Sequence, residues 1–141
     1  MLKEKEKKRL MVKFPSDEWI QVFKNELNRN ANYEKAAKDW EGDFLFVILP
    51  DDKLENEVKY YMDLWHGKCR QAYRVEGHKN TAFTFSGSYL NWKKVIKDEL
   101  DPVKGFIRGL FEIKGDSIKI IRYVKAAKEL INTANRIPTE F

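Results

Sequence analysis

The run "DFLFVILP" at residues 43–50 constrains this chain more than any other stretch. Six apolar residues in succession, Phe44 to Leu49, end at a Pro-Asp-Asp turn. An amphipathic helix would interrupt such a run with polar positions, and a half-exposed strand would alternate. A short continuous apolar run bounded by turn residues predicts a strand covered on both faces. The fold must therefore put material on both sides of this segment.

The flanking sequence supplies candidates for that cover. Before the run, Ser16 is placed to cap a helix whose first turn carries Asp17 and Glu18 and whose one face carries Ile20, Phe23 and Leu27. "NANYEKAAKDWEG" reads as a second, short helix with Asn32 as its cap and Gly42 after its end. After the run, "EVKYYMDLW" and "KCRQAYRV" read as strands joined at His66-Gly67, although Tyr and Trp spoil a clean alternation. "EGHKN" is the next turn, and "TAFTF" a fourth strand with Phe83 and Phe85 on one side. Helical spacing returns in "SYLNWKKVIKDEL". A short helix follows, with Asp101 as cap, Pro102 in its first turn and Gly109 at its end. "LFEIK" is a fifth strand, and residues 117–135 read as one long final helix. Hairpin-length turns between most strands predict an α+β domain with a five-stranded, largely antiparallel sheet and segregated helices.

Length and charge narrow the function classes. With 141 residues and no low-complexity stretch, one soluble domain is expected, with residues 14–141 as the body. The net charge of +5 is unevenly spread. Residues 1–13 hold six basic and two acidic side chains, so the remainder carries only +1. Residues 1–13 therefore read as a solvated, charged N-terminal extension. A near-neutral body argues against strong phosphate attraction, hence against nucleic acid as a partner. The nearest approach to a base-stacking face is Tyr61, Trp65, Arg70, Tyr73 and Arg74. The lone cysteine, Cys69, fits a reducing compartment, and no apolar run is long enough to span a bilayer. The expected location is the cytoplasm.

Catalytic and metal chemistry find little support. His66 and Cys69 are three apart with no second pair to complete a zinc set, and no cofactor is expected. His78 sits alone in a turn, and Asp51 and Asp52 are adjacent in another. Nothing marks a nucleophile with an orienting base. "GFIRGLFEIKGD" at 105–116 has three glycines but not the spacing of a dinucleotide or P-loop turn. Gly109 instead lets a helix stop, and Gly115 makes the turn after a strand.

Nine Phe, six Tyr and four Trp are a large apolar supply. Candidates for the wall of an apolar pocket are Phe83 and Phe85, Trp92, Val95 and Ile96, Phe106 and Ile107, and Phe111 and Ile113. Ile120, Ile121, Val124 and Ala127 on the final helix complete the set. Taken alone, the same residues read as the filling of a closed core.

One pattern bears on that choice. Trp92 on a helix is followed by "DPVKGFIRGLFEIKGD" at 101–116, and preceded by "TAFTFSGSYLNW" as a strand-to-helix entry. This arrangement resembles the sterol carrier protein type-two-like domain over residues 16–135, most closely over 81–125. The resemblance implies an apolar tunnel between the sheet and the C-terminal helices, with no catalytic residues. It implies a hydrophobic ligand such as a fatty acid, an acyl-CoA ester or a sterol- or isoprenoid-like lipid, held by the thirteen residues above. The chain departs from the family in its charged extension and in the aromatic-rich region of its third strand. It ends "IPTEF" rather than in the peroxisomal Ser-Lys-Leu signal. A subunit that keeps the fold for protein interaction, with its cavity closed, is the alternative. Lys119, Arg122, Lys125 and Lys128 flank the apolar face of the final helix. They belong either to an ordinary amphipathic surface helix or to one making transient contact with an anionic membrane surface.

Overall fold

The computed structural model describes residues 3, 4 and 10–141. Residues 5–9, most of the charged run in the expected extension, lie outside the described residues. The chain enters the folded body earlier than residue 14. Strand β1 (Val12–Lys13) pairs in parallel with β7 (Thr139–Glu140). The amides of Val12 and Phe14 donate to Pro138 and Glu140 at 2.7 and 2.8 Å. Val12 and Phe14 are both buried.

The main sheet has five strands in the order β4-β3-β2-β5-β6. They are β2 (Glu41–Leu49), β3 (Val58–Trp65), β4 (Lys68–Val75), β5 (Phe83–Ser88) and β6 (Phe111–Lys114). All pairings are antiparallel except β2 with β5. The apolar run thus occupies the central strand. Phe44, Phe46 and Ile48 point toward the helices, and Leu45 and Val47 join Tyr61 and Val75 in a smaller cluster on the opposite face. The irregular alternation of the next two strands also has a cause. Their register shifts between Met62 and Leu64, a bulge that lets Cys69 and Ala72 both be buried.

Among the described residues six helices cover one face: α1 (Asp17–Leu27), α2 (Ala31–Ala36), α3 (Tyr89–Ile96), α4 (Pro102–Ile107), α5 (Ser117–Arg122) and α6 (Val124–Asn135). Ser16 caps α1 by accepting from the Trp19 amide at 3.0 Å, and Asp101 caps α4 from the Val103 amide at 2.8 Å. Two local expectations are corrected. The cap of α2 is Asn30, not Asn32, and the helix ends at Ala36, leaving Gly42 inside β2. Asn30 is fixed there because its amide also donates to Thr133 at 3.0 Å in the buried seam between α2 and α6. The expected helix over 117–135 is broken at Tyr123, whose φ of −105° and ψ of 33° leave the helical region. Its ring packs edge-on against Trp40 with centroids 5.0 Å apart, a contact that accompanies the break.

Candidate functional site: an apolar cavity under the helices

The helices do not close completely on the sheet. Between them lies a cavity of about 180 Å³. Its floor is aromatic and aliphatic: Phe44, Phe46 and Ile48 from β2, Tyr60 and Met62 from β3, Phe85 from β5 and Ile113 from β6. Phe14, and Trp19, Ile20 and Phe23 from α1, form one wall, and Trp92, Val95 and Ile96 from α3 another. Pro102, Val103 and Phe106 from α4, Ile120 and Ile121 from α5, and Val124, Ala127, Leu130, Ile131 and Ala134 from α6 complete it. At the α5–α6 junction Ile121 and Val124 line the cavity and are also exposed to solvent, so this edge is its mouth.

Three lining side chains carry polar atoms, and each is turned away and engaged. The Tyr60 hydroxyl donates to the Ser16 carbonyl at 2.7 Å and accepts from the Ser16 amide at 2.9 Å. Trp19 Nε1 donates to Thr139 Oγ1 at 3.1 Å, and Trp92 Nε1 to the Val47 carbonyl at 2.9 Å. Burial pushes the Tyr60 hydroxyl well above the usual phenol range, so it stays neutral. The cavity surface is hydrocarbon and aromatic carbon, joined by the Met62 thioether. An apolar cavity of about 150 Å³ stays dry and takes up benzene-sized guests.

Two glycines explain how α4 comes to line the cavity. A Cβ on Gly105 would sit 2.9 Å from the Phe111 ring, and one on Gly87 2.5 Å from it. With both positions bare, Phe111 lies between β5 and α4, stacked on Phe85 at 4.9 Å and edge-on to Trp92 at 5.2 Å. The short helix can then lie close to the sheet and present Val103 and Phe106 to the cavity. The glycine-rich stretch is a joint. It is not a phosphate cradle.

Ten of the thirteen sequence candidates line the cavity: Phe85, Trp92, Val95, Ile96, Phe106, Ile113, Ile120, Ile121, Val124 and Ala127. Three do not. Phe83 is buried against Trp40 and Phe44, with centroids 5.3 and 5.1 Å away. Phe111 fills the joint just described. Ile107 points outward from α4 and is 76% exposed. Sequence reading missed the contribution of the N-terminal half, which supplies Phe14, Trp19, Ile20, Phe23 and the residues of β2 and β3. The helical spacing of Ile20 and Phe23 was a usable signal. Which face of β2 meets the cavity was not, because alternation along an unbroken apolar run carries no mark of side.

Lys119 donates to the Glu41 carbonyl and lies over Trp40, 4.8 Å from the ring centre. Arg122, Lys125 and Lys128 are exposed and form no ion pair among the described residues. Tyr61 is buried with its hydroxyl on Asp43, and Lys79 covers its ring. Arg70 pairs with Asp63 and lies over Trp65, while Arg74 reaches Glu76 and Asp17. Cys69 is buried, and burial pushes its thiol up to about 12. Among the described residues no cluster of His, Cys, Asp and Glu could hold a metal, and no helix is long and apolar enough to cross a membrane.

Comparison with known proteins bears directly on this arrangement. A family model described as "SCP-2 sterol transfer family" matches residues 22–128. A crystal structure of sterol carrier protein 2 is 34% identical, with a TM-score of 0.79 over 86% of this chain and 97% of that one. A Thermus thermophilus protein described as possibly a sterol carrier protein is also 34% identical, with a TM-score of 0.81 over 89% and 90% of the two chains. The fold also occurs within a larger enzyme. A sec-alkylsulfatase from Pseudomonas sp. aligns over 89% of this chain but only 16% of its own, at 13% identity and a TM-score of 0.53. Among curated proteins no sequence matches. A sheet with helices on one face, the apolar space between them and a match over most of the chain agree: the chain belongs to the SCP-2 sterol transfer family.

Proposed function

We propose that this protein binds a long-chain lipid with its hydrocarbon inside the cavity and its polar end at the mouth, and carries it without chemical change. The observation that carries this reading is the state of the polar atoms in the wall. Trp19, Trp92 and Tyr60 all direct theirs outward, and all three are engaged. A ligand hydroxyl or carboxylate placed deep inside would lose water and gain no partner, a penalty of at least ~1–3 kcal/mol. A methylene there gains about 0.8 kcal/mol. Fatty acids and acyl-CoA esters fit this division best, because their one polar end can stay at the mouth. A sterol fits in the same sense only with its hydroxyl outward. Among the described residues the lining offers hydrocarbon, aromatic rings and one thioether, which favours holding a lipid unchanged. The reducing compartment suggested by the buried lone thiol supports a cytoplasmic site of action.

Native mass spectrometry of the freshly purified protein, set against its denatured mass and an organic extract, tests occupancy. A lipid lost on denaturation is the expected result. Titration with saturated fatty acids should then show affinity rising about fourfold per added methylene until the cavity is full. Ala127→Trp, which projects an indole into the lining, should abolish that affinity while unfolding at a temperature close to that of the parent. Affinity independent of chain length, or unchanged by Ala127→Trp, would refute the proposal.

A further inference from the structure

The cavity has a direction. Its floor follows β2, with Phe44, Phe46 and Ile48 in line along the strand. The mouth belongs to the start of that strand. There Lys119 of α5 donates to the Glu41 carbonyl, Tyr123 packs on Trp40, and Ile121 and Val124 both line the cavity and meet solvent. Phe14 belongs to the finish of the strand. Ile48 pairs there with Val58, and Leu49 with Ser88, the residue before Tyr89. The Phe14 ring stacks on Tyr89 with centroids 6.2 Å apart and meets Tyr60, two positions beyond Val58, at 6.4 Å. From Phe44 to Ile48 the strand advances roughly 13 Å, so the mouth and Phe14 stand at different ends of the cavity.

Phe14 is also held from behind. It is 2% exposed, and its amide donates to the Glu140 carbonyl beside the β1–β7 pairing. Two residues on, the Ser16 amide and carbonyl are both bound to the Tyr60 hydroxyl. Trp19 stands edge-on to the Phe14 ring at 5.0 Å, and its indole is fixed on Thr139. Phe141 meets the same ring at 6.1 Å and carries the Lys93 ammonium 5.3 Å above its own. A ring with aromatic neighbours on this many sides does not yield to pressure from the cavity, because a packed interior is nearly incompressible. Moving it outward would part the strands that join the two ends of the described body.

We propose that Phe14 is the stop against which the tail of a bound acyl chain ends, with Phe141 as the residue that positions it. The length of chain accepted is then fixed by this ring and not by the total volume of the cavity. The inference rests on the binding function proposed above and adds the residue that sets its selectivity. An acyl chain with its polar end at the mouth runs along β2 and meets Phe14 last. Each methylene up to that contact adds its burial. The next one must displace a supported ring or push the polar end away from the mouth, and affinity stops rising.

The test is titration of the full chain with saturated fatty acids of increasing length, read as the length at which affinity ceases to rise. Phe14→Leu takes about three carbon atoms from the stop and should move that limit up by about two methylenes, each adding about fourfold in affinity. Phe141→Ala changes a residue that does not line the cavity, and should raise the limit too by releasing the ring from behind. It carries the test alone if Phe14→Leu is too unstable to titrate. Phe85→Leu enlarges the cavity opposite Phe46, midway along β2, and should lower affinity at every length while leaving the limit in place. An unchanged limit in the Phe14 or Phe141 variant, or an equal rise in Phe85→Leu, overturns the proposal. A parent whose affinity does not depend on length overturns the binding function with it. Failure of the stop alone looks different: the parent rises and levels off, and the variants share its limit.

Discussion

Helices α1 and α5 both offer isoleucines to the same cavity, yet they are held in opposite ways. α1 is tied to the sheet along its length. The Gln21 amide donates to the Ala72 carbonyl, and Asn28 exchanges two hydrogen bonds with the Cys69 backbone at 2.8 and 2.9 Å. At its start, Ser16 is bound to the Tyr60 hydroxyl. Trp19, Ile20, Phe23 and Leu27 are all buried beneath it. α5 is six residues long, has an aspartate cap, has no fully buried residue and leaves Ile118 and Ile121 exposed. The difference shows a cavity with one wall built as core and another built as rim. Apolar content alone does not distinguish the two, since both helices are rich in it.

The contrast between the two helices predicts unequal costs for two truncations. Leu27→Ala removes a fully buried side chain that does not line the cavity and should cost about 2–5 kcal/mol in urea unfolding. Ile118→Ala should stay within about 0.5 kcal/mol of the parent. Comparable losses would mean that α5 is anchored as firmly as α1. Next in size is the joint beneath α4. Gly87→Ala would drive a methyl group into a Phe111 ring already wedged against Phe85 and Trp92, at a cost of about 1–3 kcal/mol. A neutral substitution there would show that α4 can lift freely from the sheet.

The last effect, nil at neutral pH, lies on the α1 side. Burial raises the Cys69 thiol from 9.0 to about 12, so the folded chain keeps a proton that the unfolded chain releases. Stability is then untouched below the ordinary thiol range and declines as pH rises from about 9 toward 12, by at most about 1.4 kcal/mol per pH unit from this group. The buried Tyr33 and Tyr60 hydroxyls, also pushed up by burial, act in the same direction. Cys69→Ala should flatten the alkaline limb of the stability curve without abolishing it. An unchanged slope in that variant would remove the thiol from the account.

Much of the fold was legible because its signals are local. The caps Ser16 and Asp101, the His66-Gly67 turn and the unbroken run in β2 each declare themselves within a few residues. The break at Tyr123 did not, because the partner of its ring is Trp40, more than eighty positions earlier. The cavity was half legible. Helical spacing marked the C-terminal side chains as one apolar face, but spacing cannot tell an aromatic ring with a neighbour on every side from one that borders empty space. Phe83 and Phe85 stand two apart on one strand face, and only the position of Trp40 over the first makes it filling and the second wall.

From the sequence alone came the α+β class, a strand covered on both faces, the near-neutral body and a family signature carried by residues 92–116. Only the packing of distant segments makes the helices stop short of closing on the sheet, turns α1 into wall as well as core, and leaves Ile121 of α5 both lining the cavity and exposed. The physical reason lies in range. Capping, turn formation and hydrophobic periodicity are set by residues within about one or two helical turns of each other. Whether apolar surface is filled or left lining a space depends on the shapes of side chains brought together from distant segments.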